Sequence, residues 1–149
     1  MSRWHTVVAT NERRKNVYVC GIGSQARLGR MAQTQTRFEP LRDFSETAQT
    51  VVASSDHTLI VTTQGTVYSF GSNRMGQLGF LLEEGQGILS SSSGTKRSAA
   101  TSHTGCTSLQ GTIVGANGVE LDLQVTPRRV LGPLKREVVL GAAASRIHS

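Results

Sequence analysis

The stretch DHTLIVTTQGTVYSFGSNRMGQLGF, residues 56–80, has an earlier counterpart in WHTVVATNERRKNVYVCGIGSQARLGR, residues 4–30. Their landmarks keep register. Val17-Tyr18 answers Val67-Tyr68, Gly21 answers Gly71, and Leu28-Gly29 answers Leu78-Gly79, each pair 50 residues apart (71 − 21). The distance from His to Tyr differs, 13 residues in the first unit (18 − 5) and 11 in the second (68 − 57). The two extra residues fall in the charged stretch 11–15, and a loop absorbs such insertions readily.

Self-similarity at this period marks a repeat array, and both units are rich in strand-forming residues. In the second unit, residues 59–62 and 66–70 flank Gln64-Gly65, where glycine permits the positive φ of a tight hairpin. Further strands are expected at residues 37–41 and 50–53, which would give the first unit four. Four short strands per unit is the pattern of a propeller blade. The fold expected is therefore all-β, a partial set of two to three blades. A closed propeller needs roughly four to eight. On that count the chain reads as a fragment of a longer array or a truncated gene product. Its unclosed edges should make it poorly stable or self-associating.

Residues 1–54 form the first, degenerate unit in this reading, and residues 55–80 with 124–144 form the second. Between the two halves of the second unit lies a Ser/Thr/Gly-rich stretch, residues 81–123, with few large apolar groups. It is expected to be a flexible, disordered insertion, because it buries too little surface to offset its ordering entropy. The array should resume in strands at 124–131 and 137–143. Ser145-Arg146-Ile147-His148 then takes the form of Ser54-Ser55-Asp56-His57, so residues 145–149 open a third, incomplete unit.

Composition excludes several classes. The 149 residues are 37% hydrophobic and hold no run of 18 apolar residues, so no membrane partner or spanning helix is expected. The opening residues lack the apolar core of a secretory signal. Cys20 and Cys106 lie 86 apart, which suits a reducing compartment, cytoplasmic or nuclear. The net charge of +6 is spread over short groups such as Arg13-Arg14-Lys15 and Arg128-Arg129, without interleaved aromatic residues. Nucleic acid is accordingly not the expected partner.

No reactive constellation emerges. His5, His57 and His148 each follow a serine by three residues, at Ser2, Ser54 and Ser145. One histidine alone would suit a general base or a metal ligand. Recurrence in every unit assigns them to the scaffold instead, since equivalent sites on separate blades do not converge on one centre. The run Gly21-Ile22-Gly23-Ser24-Gln25-Ala26 satisfies a dinucleotide-binding pattern, yet its counterpart Gly71-Ser72-Asn73-Arg74-Met75-Gly76 lacks the second glycine. Ser93-Gly94-Thr95-Lys96 fails the phosphate-loop pattern, because Arg97 follows the lysine. Catalytic, cofactor and metal sites are all expected to be absent, and the chain is read as no enzyme.

The string D-H-T-L-x-x-T-x-x-G-x-V-Y-S-F-G-S-N-R-M-G-Q-L-G, residues 56–79, resembles the repeat of the regulator of chromosome condensation family. The first unit is a worn copy, with Gly23 for Asn73, Ala26 for Gly76 and Arg27 for Gln77. Serine also stands three residues before each histidine, where the family's repeat usually carries glycine. The resemblance implies a seven-bladed propeller of which this chain holds a part. It also implies scaffold roles for His5, His57, His148, Tyr18, Tyr68, Gly21, Gly71, Asn73, Gly76, Gln77, Leu78 and Gly79. Degenerate repeats with a long insertion are similar to the ankyrin–propeller–BTB group typified by inhibitor of Bruton tyrosine kinase. That likeness implies a protein-interaction scaffold, an adaptor with a ubiquitin-ligase component as partner. The family also implies two alternatives, nucleotide exchange on a small GTPase and a chromatin-associated binding module.

Overall fold

Eight strands make two antiparallel sheets in the computed structural model, which describes residues 2–31, 34–80, 110–114, 120–146 and 148. β1 (His5–Ala9), β2 (Val17–Ile22) and β3 (Thr34–Pro40) form the first sheet in that order. β4 (Ala48–Ala53), β5 (His57–Thr62), β6 (Val67–Ser72), β7 (Gln110–Val114) and β8 (Glu120–Arg129) form the second, ordered β4-β5-β6-β8-β7. Short 3₁₀ turns cover Ser24–Ala26 and Gly132–Arg136.

The two sheets are copies in detail. Val8 pairs with Tyr18 as Ile60 pairs with Tyr68. Each tyrosine strand then shifts register against its outer neighbour at one point, between Val19 and Gly21 in the first sheet and between Ser69 and Gly71 in the second. A bulge at that point sharpens the local twist, and glycine supplies the backbone it needs. Gly21 has φ +123° and Gly71 φ +112°. The bulge lets Ile22 N–H reach Trp4 O and Ser72 N–H reach Asp56 O, each at 2.8 Å. Further out, Leu41 N–H bonds Val17 O as Val130 N–H bonds Val67 O, again both at 2.8 Å.

The core lies between the sheets. Val7, Val17, Val19, Leu28, Leu41 and Phe44 from the first half meet Ala48, Ile60 and Phe70 from the second. Tyr68 packs on this cluster, its ring 5.3 Å from Phe44 in an edge-on arrangement at 85°. One buried polar residue stitches the sheets together. Asn16 donates from Nδ2 to Ala48 O at 2.8 Å and to Thr10 O at 3.0 Å, and its Oδ1 accepts Ala48 N–H at 2.9 Å.

Three expectations from sequence need correction. The strand near 50–53 was assigned to the first unit, but β4 bonds to β5, so the second sheet crosses the repeat boundary at 54/55 and the first sheet holds three strands. The side chains of β4 face the same core from either assignment, and only the backbone pairing decides its sheet. Residues 137–143, expected as a strand, belong to no sheet; Val139 N–H instead caps Gly65 O at 2.9 Å, across the β5–β6 turn. Finally, β7 and the start of β8 lie inside the stretch 81–123 assigned to a flexible insertion. Gln110–Val114 gains a complete antiparallel partner in β8, with Ile113 opposite Leu121. The remainder of that insertion, Cys106, His103 and Ser93–Lys96 included, lies outside the described residues.

Candidate functional site

The recurring serine–histidine pairs build equivalent turns at the entry to each repeat. Ser2 N–H bonds His5 O at 3.0 Å, Ser54 N–H bonds His57 O at 3.0 Å, and Ser145 N–H bonds His148 O at 2.8 Å. The Ser2 hydroxyl lies 2.9 Å from His5 Nδ1, and the Ser145 hydroxyl 3.2 Å from His148 Nδ1. At the second entry the Ser54 hydroxyl turns away and donates to Ser145 O.

His5 joins the sheets through a directed chain of hydrogen bonds. Thr58 Oγ1 donates to Arg27 O at 3.1 Å, which leaves it an acceptor toward His5 Nε2 at 2.9 Å. Nε2 therefore carries the proton, and Nδ1 accepts from Ser2; the tautomer follows from the partners. Burial, with Arg27 close by, pulls the His5 pKa down to about 4. Burial also lowers that of His57, against the opposing carboxylate of Asp56. His5, so depressed and committed to structural bonds, takes up no proton near neutral pH.

This burial has a consequence for stability. The unfolded His5 imidazole binds its proton near pH 6.5, whereas the folded one does so only near pH 4. Stability should be complete above pH 6.5 and fall as pH drops toward 4, since the unfolded chain then binds more protons. Lowering the pH from 6.5 to 5 should cost at most about 2 kcal/mol through this one group. Urea midpoints read across that range, compared with those of His5→Gln, provide the check: the variant should show a flatter slope. An equal slope would remove His5 from the account.

The other repeat positions are also occupied by scaffold geometry. Asn73 spans its loop, donating from Nδ2 to Phe80 O at 2.9 Å and accepting Leu78 N–H at 3.0 Å. Gln77 Oε1 accepts Met75 N–H at 2.8 Å. Leu28 and Leu78 are both fully buried. Gly76 and Gly79 close the turn with positive φ, and Gly79 N–H bonds Gly76 O at 3.1 Å, as Gly29 N–H bonds Ala26 O at 3.0 Å. Tyr18 donates to Glu12 at 3.2 Å and Tyr68 to Glu46 at 2.5 Å, so the two phenols share a place in the sheet with unrelated carboxylates. Burial and the bond to Glu46 push the Tyr68 pKa up to about 12.

One repeat feature escaped the sequence reading. Gln35 stands opposite Gly21 and Gln124 opposite Gly71. Both glutamines are buried, and each donates at 2.9 Å to the carbonyl two residues on, Arg37 O and Thr126 O. The signal was present, since each glutamine precedes the buried Leu41 or Val130 by six residues (41 − 35 and 130 − 124). The long insertion before Gln124 hid the match.

Outside this framework, the entry turns meet at an open cleft of about 420 Å³. Arg3, Trp4, Gln25, Arg27, Asp56 and Arg146 line it. The Arg3 guanidinium stacks 4.6 Å from the centre of the Trp4 ring. Arg27, its side chain almost wholly buried, pairs with the half-exposed Asp56 at 3.0 Å. Its Nε and the Oε1 of Gln25 are buried without a hydrogen-bond partner among the described residues. Three guanidinium groups face one carboxylate here, so the cleft is cationic. Among the described residues no three His, Cys, Asp or Glu side chains gather as a metal site. Nor is any helix there long and apolar enough to cross a membrane.

Comparison with known proteins agrees with this architecture. The family pattern described as the Regulator of chromosome condensation (RCC1) repeat matches residues 49–77. Over 83 residues the chain is 39% identical to BTB/POZ domain-containing protein 1 of Schizosaccharomyces pombe, covering 56% of this chain and 6% of that protein. Among solved structures, human WBSCR16 superposes with a TM-score of 0.61 at 17% identity, over 97% of this chain and 27% of its own. Yeast RCC1 (Prp20), solved with Kap60 bound, gives 0.62 at 14% identity, over 97% and 27%. A second structure, of Prp20p from Saccharomyces cerevisiae, gives 0.61 at 14% identity, over 97% and 28%. At such identities the likeness concerns the fold, and the chain spans about a quarter of these structures. Two adjacent blade-like sheets, copied at a 50-residue period down to their bulge glycines, agree with the match of residues 49–77 to the regulator of chromosome condensation repeat.

Proposed function

We propose that this chain is a non-enzymatic protein-interaction module, and that its contact surface is the cationic cleft where the repeat entries meet. The carrying observation is a division of labour within the repeated Ser-x-x-His motif. Its constant members bond inward and shape the turn, while its variable members, Arg3 and Trp4, Ser55 and Asp56, and Arg146, line the cleft. Repetition preserves what the fold needs; the positions that differ are those offered to a partner. The cleft's charge favours a partner presenting carboxylates. The 39% identity to a BTB/POZ domain-containing protein supports the finer reading of a ubiquitin-ligase adaptor within a larger assembly.

Proximity labelling in cells, comparing the native chain with Arg3→Glu/Arg146→Glu, tests the surface. Both residues lie outside the hydrophobic clusters, so the melt should be unchanged. The specifically labelled proteins should fall to background. An unaltered set of labelled proteins would remove the cleft from consideration.

A second reading, nucleotide exchange on a small GTPase or attachment to chromatin, draws support from the yeast neighbour characterised for its binding to Gsp1p and histones. Nucleotide release from a candidate GTPase, accelerated by catalytic amounts of the chain, would replace the scaffold reading. Salt-sensitive retention on DNA would favour chromatin.

A further inference from the structure

The loop between β2 and β3 departs from its repeat counterpart at Arg27, the one buried residue lining the cleft. In the second unit Gln77 braces its own loop, its Oε1 accepting Met75 N–H at 2.8 Å. Arg27 holds the same place 50 residues earlier (77 − 27), and a guanidinium has no acceptor to offer. The unbraced loop takes a different path. Gln25 and Ala26 both adopt the left-handed region, at φ 64° and 55°, whereas at the equivalent Met75 and Gly76 only the glycine does. Such residues carry backbone strain, which folds retain mostly at functional sites.

Arg27 is also left with donors to spare. Its side chain is only 5% exposed, yet among the described residues its ion pair is with Asp56 alone, and its Nε is buried without a partner. Burial pulls its pKa down, with the Asp56 carboxylate opposing. The guanidinium presents five N–H donors in a planar fork, a geometry that suits an oxyanion with several acceptor oxygens.

The rest of the lining is rich in donors. Arg3, stacked on the Trp4 ring, and Arg146 are both exposed, and Ser24 and Ser55 add hydroxyls. Three guanidinium charges against the Asp56 carboxylate leave +2 (3 − 1). A single carboxylate from a partner would answer half of that. A phosphate monoester carries about −1.5 to −2 near neutral pH and three acceptor oxygens, so it answers nearly all of it. The cleft, about 420 Å³, is far larger than a phosphate group and has room for the chain that bears one. Trp4 and Ile22, each more than a third exposed, give an apolar flank to a neighbouring side chain.

We propose that the cleft reads a phosphoserine or phosphothreonine in an extended segment of the partner, with Arg27 as its central recognition group. The phosphate lies among Arg3, Arg27 and Arg146, and an adjacent apolar residue of the segment rests on Trp4 and Ile22. Asp56 holds the Arg27 fork in place before the ligand arrives, so it is a positioning residue. The short phosphorylated side chains suit an open cleft, because they keep the phosphate close to the peptide backbone. This inference rests on the cleft as the contact surface and names the anion that surface takes.

Fluorescence anisotropy on the full chain tests it with three degenerate peptide libraries that differ only at a fixed central residue: phosphothreonine, glutamate or threonine. The phosphothreonine library should bind at least about tenfold more tightly than the glutamate one, the effect of one added charge-assisted hydrogen bond. The threonine library should show no saturable binding. Arg27→Gln restores the residue that the second unit carries, so the variant should keep its melt and lose the preference for phosphate. Ser55→Glu places an anion in the cleft without altering Arg27, and should weaken phosphothreonine binding by a similar factor. Equal binding of the phosphothreonine and glutamate libraries, or binding of neither, overturns the proposal. So does an Arg27→Gln chain that melts normally and keeps the preference. Should that variant melt early, Ser55→Glu decides alone, and undiminished phosphothreonine binding there is fatal. Inorganic phosphate that competes as tightly as the peptide library would assign the cleft to a free anion and overturn the peptide reading. Proximity labelling separates this from the broader claim. Labelling lost in Arg3→Glu/Arg146→Glu but retained in Arg27→Gln keeps the cleft as the contact surface and removes only the phosphate, whereas labelling unaltered in the double variant removes both.

Discussion

Gly71→Ala is expected to unfold the second sheet, at a cost of about 3–5 kcal/mol, combining a forbidden backbone with overpacking. At φ +112° an L side chain is strained whatever the space around it, and here there is none. A Cβ at Gly71 would sit 2.4 Å from Asp56 O and 2.7 Å from His57 Cα. Both obstacles are backbone, held by the Ser72–Asp56 hydrogen bond, so neither can turn aside. Relief would require opening the bulge, and with it the register of β6 against β8. Such a loss approaches the whole stability of an ordinary domain, roughly 5–15 kcal/mol. Gly21→Ala should behave alike in the first sheet, since its Cβ would meet Trp4 O at 2.5 Å and His5 Cα at 2.6 Å. Gly76→Ala is the control. It also has positive φ, +72°, but nothing lies within 4 Å, so it should cost only about 1–2 kcal/mol. Urea unfolding followed by far-UV circular dichroism would rank the three. A Gly71→Ala chain as stable as Gly76→Ala would contradict the bulge geometry.

Asn16→Ala should cost about 2–4 kcal/mol, because three hydrogen bonds vanish and the backbone groups of Ala48 lose their partners inside the core. The expected consequence is more specific than a loss of stability. Asn16 leaves the end of the β1–β2 loop and grips the first residue of β4, so it couples one sheet to the next. With that grip removed, the apolar cluster remains the main tie between the sheets, and their unfolding should separate into two steps. Calorimetry would show a broadened or split transition, while the spectrum below the transition stays native. A single sharp transition with unaltered enthalpy would assign the coupling to the apolar cluster together with the His5–Thr58 and Arg27–Asp56 links. Asn16→Asp should fare worse than alanine, since it buries a charge where two donors were needed.

Much of this architecture was legible in the chain. The hairpin at Gln64-Gly65, the glycines at 21 and 71, and the histidine turns all announce themselves locally. Each depends on the conformational freedom or the short-range hydrogen bonding of a few adjacent residues. Gln35 and Gln124 were missed because an insertion displaced one of them from the period. β7 was missed because its strand character appears only in its pairing with β8.

The membership of β4 and the fate of residues 139–144 were not legible at all. The two segments hold the same place before a Ser-x-x-His turn, yet β4 lies in a sheet and the other segment does not. A strand's sequence specifies that it can pair and which face it buries; it carries no record of which edge will lie beside it. That choice is made when remote segments meet, because a ladder bonds backbone to backbone regardless of side chain. The cationic cleft is likewise a tertiary product. Arg3, Arg27 and Arg146 are scattered along the chain, and only the stacking of successive entry turns brings their charges together. The chain by itself therefore determined the repeating unit and its inward scaffold, through local backbone chemistry, while tertiary contact decided the neighbours and the exposed surface, through pairing that no local pattern encodes.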